Sequence, residues 1–432
     1  MVATRPIPSR SPDFRPKFTG NSSRTASEPA ARGVQAQTSL FEIHRAMAAE
    51  SSLMQPIEHL HKPAPGGRLF ALPAGHAGVA AHLADVDKLL ASTMDALADQ
   101  WADLAAGGAA DVLGSADLPA MLSTLLGRGG KRIRPIMTYL GWAAAGRDHR
   151  GVGRREIVTV SAALELLHLF ALVHDDVMDE SDSRRGVPTI HRQAHARHVA
   201  ANAVGNPQLF GTSIAILAGD LALAEADGLI SGLPPEIRRL WRRLVVELVV
   251  GQRQDLTGTA ARRRDLAFAQ SVATLKSGRY TVQRPLELGA AAAAGTDAAR
   301  MRLTRYGEAV GMAFALRDDI LGLWGDPGRT GKPAGDDLIS GKPTVLLALA
   351  ADRIRHPTAR QAFDRVGTAA FGPADLALLL DELSENGTRA TVEQMVGAAV
   401  DAAMDALDHS MLDPDAVDEL RSLAYAIAWR EK

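Results

Sequence analysis

Apolar positions fall three and four residues apart from about Val86 onward, where Leu89, Leu90, Met94, Leu97, Trp101 and Leu104 would line one face of an amphipathic helix. The same period recurs over Ile157 to Asp179, Pro235 to Leu256, Arg262 to Leu288, Arg300 to Trp324 and Val345 to Ile354. Farther on, Leu376, Leu378 to Leu380 and Leu383, then Val392, Met395, Val396, Val400, Met404 and Leu407, predict further helices. Segments alternating at period two are nearly absent, and aromatics make up only 4% of the residues, so the pattern predicts an all-α bundle rather than an α/β fold. From Met1 to about Gly78, Pro, Ser, Ala and Arg replace the periodicity. Residues 1–85 therefore read as a flexible N-terminal extension and residues 86–432 as one helical domain. The extension is arginine-rich and acid-poor, as transit peptides are, but it has no apolar signal-peptide core near its start.

Composition narrows the choice of partners. At 46% hydrophobic over 432 residues the chain can bury a sizeable core, and a formal charge of -2 leaves no global attraction to nucleic acid or anionic lipid. Any anion must be held by local basic clusters. The absence of cysteine excludes disulfides and thiolate metal sites and fits a reducing compartment, so the expected location is the cytoplasm. The longest uncharged stretch, Val199 to Gly219, is interrupted by Asn202, Gly205, Asn206, Pro207, Gln208 and Gly211, and does not read as a transmembrane segment.

The chemistry is concentrated in four places. The run His168 to Arg185, HLFALVHDDVMDESDSRR, ends an apolar helix on Asp175, Asp176 and Asp179 and follows them with Arg184 and Arg185. Carboxylates four apart stack on one helix face, and all-oxygen ligation of this kind suits a hard cation such as magnesium. Upstream, Gly129 to Pro135 places Lys131, Arg132 and Arg134 beside two glycines, donors suited to a phosphate or diphosphate. Gln252 and Asp255 precede a Leu275-Lys276-Ser277 segment. A second acidic pair, Asp318-Asp319, again closes an apolar helix, and the loop after it carries Lys332, Asp336-Asp337 and Lys342. Taken singly, a basic turn, an acidic surface turn, a core histidine at 168 or a surface lysine at 276 is the plainer reading. In combination, two acidic helix ends facing across a bundle could hold several magnesium ions and a diphosphate.

In this order the motifs resemble the trans-prenyltransferase family of isoprenyl diphosphate synthases, from about Ala110 to beyond Thr344. The resemblance implies an all-α isoprenoid-synthase bundle around a deep central cavity, usually a homodimer, joining isopentenyl diphosphate head-to-tail to an allylic diphosphate. By position it implies that Lys131, Arg134, His168 and Arg185 hold isopentenyl diphosphate. Arg184, Lys276, Ser277, Lys332 and Lys342 would hold the allylic diphosphate. Asp175, Asp179 and Asp318 would ligate magnesium, three ions in all, supported by Asp176, Asp319 and Asp337, with Gln252 and Asp255 in a secondary role. Three positions depart from the family pattern: Gly322 stands where many relatives have a third aspartate, Ala315 where glutamine is common, and Ser277 in place of threonine. The pairing of bulky Phe170 with small Ala171 before the first acidic motif resembles synthases of the C20 product, geranylgeranyl diphosphate. A class I terpene cyclase would share the fold but need no second-substrate site. A non-catalytic partner subunit of a heteromeric synthase is the other rival.

Overall fold

The computed structural model describes residues 77–105, 112–114, 117–146, 153–184, 186–326, 334–407 and 411–431; all but nine residues of the expected N-terminal extension lie outside them. The first helix, α1 (Ala77–Ala105), begins nine residues before the expected boundary at Val86. Its early turns bury Val79 and His82, and the histidine explains why periodicity alone misses them. His82 counts as polar in a sequence, yet it is fully enclosed, its Nε2 is 2.9 Å from Ser161 Oγ, and burial pushes its imidazole down to about 4.

The remaining elements are helical as expected: α2 (Leu118–Gly127), α3 (Ile133–Ala145), α4 (Arg154–Met178), α5 (Ile190–Ala200), α6 (Pro207–Ser231), α7 (Pro235–Ala260) and α8 (Leu266–Val272). The chain continues through α9 (Arg284–Ala292), α10 (Asp297–Trp324), α11 (Asp336–Ser340), α12 (Val345–Arg353), α13 (Pro357–Arg365), α14 (Pro373–Glu385), α15 (Thr388–Leu407) and α16 (Pro414–Ala428). Among the described residues the strands are two short ones, β1 (Ser183–Arg184) and β2 (Val187–Pro188), paired antiparallel just after α4. The helix expected over Arg262 to Leu288 is not uniform. Between α8 and α9, Ala273–Gln283 forms a π-helix, a wide-turned geometry usually confined to single turns and often found at functional sites.

Apolar residues cover α4 on nearly all sides, from Val160 through Leu167, so it runs through the core. Helix α6 lies against it through Ala215, Ala218, Gly219, Ala222 and Ala226, small residues at helical spacing that let the two backbones approach. Helices α3 and α9 also cross closely: a Cβ at Gly289 would stand 1.9 Å from the Thr138 carbonyl oxygen, and one at Gly141 would stand 2.1 Å from that of Leu286. Helices α4 and α6 are long and apolar enough to cross a membrane by length and composition alone. Most of α4 is buried inside the bundle, whereas much of α6 faces outward. Two hydrophobic clusters meet along α10: Ala299 to Val310 belong to the larger one, and Ala313 to Leu323 to a second one built with α11 through α15. The second acidic pair sits on that latter half.

Candidate active site

Helix α4 ends at Met178, with Asp179 as its C-cap. Three carboxylates at the negative end of a helix dipole repel one another and the last carbonyls, so the chain must bring cations to them. Arg184, on the hairpin eight residues on, bonds Asp176 through Nε at 2.8 Å and Nη2 at 2.5 Å, and reaches within 3.7 Å of Asp175. Asp176 is buried, which makes this pair the anchor of the hairpin. Lys276, on the first turn of the π-helix, places Nζ 2.5 Å from Asp255 Oδ2 and 3.3 Å from Asp175 Oδ1. Gln252 donates to the same Asp175 oxygen at 3.2 Å. The Gln252 and Asp255 pair thus stands beside Asp175 and Lys276, holding them from the neighbouring helix.

Lys342 joins the two acidic ends. Its Nζ lies 2.6 Å from Asp179 Oδ2. Burial works to lower this ammonium, but Asp179, Asp337, Asp175 and Asp255 together hold it well above the ordinary lysine range. Lys276 is likewise held up by Asp175 and Asp255 against the effect of burial. Across the site, Asp318 is exposed while Asp319 is only partly so. Asp319 accepts the Val345 N–H at 3.2 Å, at the start of α12. Burial, then the neighbouring Asp337 and Asp318, push its carboxyl well above the usual range. Gly322, where relatives carry a third aspartate, faces Asp337: a Cβ there would stand 2.6 Å from Asp337 Oδ2. A carboxylate from α11 therefore fills the place that a side chain at 322 would need.

The raised carboxyl at 319 sets a pH dependence. Its contribution to folding is complete below the ordinary aspartate value and is lost as pH rises through the elevated one. Asp319→Asn removes that loss. In the absence of divalent cations it should raise the Tm near neutrality, and by less toward about pH 4. Melting curves of the two proteins that stay parallel across this range would contradict the assignment.

A second basic cluster lies on the other side of Lys276. Arg134, nearly buried, lays its guanidinium 4.1 Å over the Tyr280 ring and bonds Thr281 Oγ1 at 3.3 Å, and its buried Nε has no hydrogen-bond partner. His168 Nδ1 is 3.0 Å from the Tyr280 hydroxyl. Tyr280, whose phenol is pushed up by burial, was not among the expected residues, although it is one of four tyrosines and stands four positions after Lys276. Lys131 is partly exposed at the approach to α3. Arg132 is drawn away from it by Glu165 at 2.6 Å and Asp87 at 2.8 Å, and ties α1 to α4.

Ser277 follows Lys276 and is partly exposed, whereas Ala315 is buried in the body of α10. Arg185 and Lys332, both expected to hold diphosphate, lie outside the described residues. Phe170 and Ala171 are partly buried on α4. Counting back from Asp175, four residues keep Ala171 on nearly the same helix face, while five swing Phe170 about 140° around the axis. Phe170 does not point below Asp175, as a shared face would require. Its ring meets His174 edge-on at 4.7 Å, and His174 turns toward α6, where Nε2 lies 3.1 Å from the Ile216 carbonyl.

Lysines and arginines gathered around carboxylates, with a separate arginine–histidine cluster nearby, can hold two polyanionic groups side by side. Carboxylate oxygens at 175, 179, 318 and 337 are hard donors of the kind magnesium takes, although among the described residues no three carboxylates or histidines stand close enough together to enclose an ion. Residues 115–375 match the family model described as polyprenyl synthetase. A geranylgeranyl diphosphate synthase of Mycobacterium tuberculosis is 32% identical over 68% of this chain and 79% of its own length. A farnesyl diphosphate synthase of Geobacillus stearothermophilus is 35% identical over 55% of this chain and 77% of its own. Among solved structures, the geranylgeranyl pyrophosphate synthase of Corynebacterium glutamicum, complexed with isoprenyl diphosphate and magnesium, shares 37% identity with a TM-score of 0.74. That match covers 81% of this chain and 98% of the solved one.

Proposed function

The chain belongs to the polyprenyl synthetase family and is a trans-prenyl diphosphate synthase; within that class we propose that it is magnesium-dependent, acts as a homodimer and makes the C20 product geranylgeranyl diphosphate. The observation that carries the reading is the junction at Lys276 and Lys342. These two ammonium groups pair with Asp175, Asp255 and Asp179, Lys342 also feels Asp337 of the second acidic run, and the Arg134 and His168 cluster lies one helical turn from Lys276. Two diphosphates can then lie side by side, which a terpene cyclase would not require.

Asp175, Asp179 and Asp318, with Asp337 in the place of a third aspartate, would hold three magnesium ions. Bound there, magnesium would supply Lewis-acid stabilisation to the departing diphosphate. Lys276, Lys342 and Arg184 hold the same group and share its growing charge as the allylic C–O bond breaks. Arg134 and His168, braced by Tyr280, fix the diphosphate of isopentenyl diphosphate so that its double bond faces the electron-poor carbon. The new C–C bond forms there, and the proton then lost goes to the released diphosphate, so no side-chain base is needed.

For the C20 limit we rest on the resemblance of the Phe170 and Ala171 pair to C20 synthases, with Phe170 acting from a face about 140° around the helix from Asp175 and not from directly beneath it. Phe170→Ala should lengthen the product by at least one isoprene unit, and chromatography of its products showing an unchanged length would sink this assignment. For the dimer, consecutive helices α6 and α7 expose Leu209, Ile216 and Leu217, then Val246, Val249 and Val250, an apolar face suited to a second copy of the chain. Val249→Asp should shift the mass measured by light scattering from two chains to one, and a wild type that is already one chain would remove the proposal.

The test of the whole reading is incubation of purified protein with magnesium, labelled isopentenyl diphosphate and each allylic primer in turn, followed by sizing of the products. No label entering any prenyl chain would overturn it. A cyclic hydrocarbon from geranylgeranyl diphosphate alone would replace it with a cyclase, and stimulation of a second synthase without turnover would replace it with a partner subunit.

A further inference from the structure

The last helix of the chain reaches back to the second acidic pair. Arg430, just beyond α16, donates from Nη2 to Asp318 Oδ1 and, at 3.1 Å, to the Phe314 carbonyl oxygen. Nη1 donates to the Ile427 carbonyl at 2.8 Å, and the guanidinium lies 4.3 Å over the Phe314 ring. A second tether holds the same end: Arg317, the residue before Asp318, donates from Nε to the Ala428 carbonyl and pairs with Glu393 at 2.7 Å. The two side chains of the ion pair differ sharply. That of Arg430 is 3% exposed and that of Asp318 is 50% exposed.

An arginine so enclosed, with Nη1 and Nη2 bonded to fixed carbonyls and its face on a ring, is not free to swing toward a substrate. Asp318 by contrast rises from the end of an apolar helix into solvent, where its side chain has rotamers to choose among. One oxygen held by a rigid donor selects one of them and leaves Oδ2 turned outward. We propose that Arg430 is a positioning residue: it fixes the carboxylate of Asp318 in its metal-ready orientation, so that the end of the chain is part of the second acidic site. Resting on the magnesium-dependent reading above, this assigns the C-terminal segment a function beyond closing the bundle.

Outer partners that orient a metal-binding carboxylate are worth about 10–100-fold in metal affinity. The readout is binding and not turnover: the full chain is titrated with magnesium in the presence of inorganic diphosphate, and the thermal shift gives a midpoint. Arg430→Gln should raise that midpoint about 10–100-fold, and Arg430→Lys should recover part of the difference. Trp429→Ala, which alters an exposed ring stacked on Tyr425 in the same terminal turn, should leave it unchanged. If Arg430 works through Asp318, Arg430→Gln adds nothing further to Asp318→Asn. Should Arg430→Gln not fold, Arg430→Lys against wild type gives the same comparison.

A midpoint in the Arg430 variants within about twofold of wild type, an equal rise in Trp429→Ala, or full additivity with Asp318→Asn would overturn the proposal. A wild type with no magnesium-dependent shift would instead remove the metal reading on which it rests.

Discussion

Lys276→Ala should cost the protein both its turnover and a large part of its stability. The ammonium pairs at 2.5 Å with Asp255, a carboxylate only 7% exposed. Breaking a buried ion pair from one side typically costs about 3–5 kcal/mol, because the other charge is left without compensation. The same substitution removes one of the cations that share the charge of the departing diphosphate, a loss of about 10²–10³ in kcat by analogy with a single oxyanion donor. The two effects are separable. Asp255→Asn in the Lys276→Ala background should restore most of the Tm and none of the kcat. Thermal melts and steady-state kinetics on the two variants check it, and a Lys276→Ala protein with wild-type turnover would rule out the assigned role.

Asp175→Asn should do the reverse, removing activity from a protein that remains folded. Asp175 accepts from Gln252 and Lys276, but Lys276 keeps Asp255 and Arg184 keeps Asp176 when that carboxylate is neutralised. No buried charge is stranded, so the Tm should stay within about 2 °C. Turnover should fall at least about 10³-fold, since a magnesium ligand and a charge at the reacting diphosphate are lost together. A variant within tenfold of wild type in kcat/KM would mean that Asp175 is not a ligand.

The helices and both acidic ends are legible in the sequence because each is local: a three-and-four spacing, or a carboxylate pair at the close of an apolar run. What was harder to read depends on residues far apart in the chain. His82 looks like part of a tail until Ser161 is seen beside it, 79 positions on. Asp255 looks marginal until Lys276 reaches it. The absence of a third aspartate at Gly322 looks like a loss, but Asp337 comes from the next helix to stand there. Arg430 carries no motif at all and acquires meaning only from Asp318, 112 positions earlier. The π-helix of Ala273–Gln283 leaves no pattern that a period of 3.6 would detect, although it carries Lys276, Ser277 and Tyr280.

In the unliganded protein, the three carboxylates that end α4 are matched to basic groups of the chain itself: Asp175 with Lys276, Asp176 with Arg184, Asp179 with Lys342. The site is an ion exchanger at rest. Lysines that turn to an incoming diphosphate release the carboxylates for divalent cations, and carboxylates that take up cations release the lysines for diphosphate. Either ligand alone must break pairs that the other would have replaced, so each should bind weakly by itself and tightly in company, by the same factor in both directions. Such a resting state guards the fold against a cluster of like charges while it waits for a substrate that arrives with its own counter-ions.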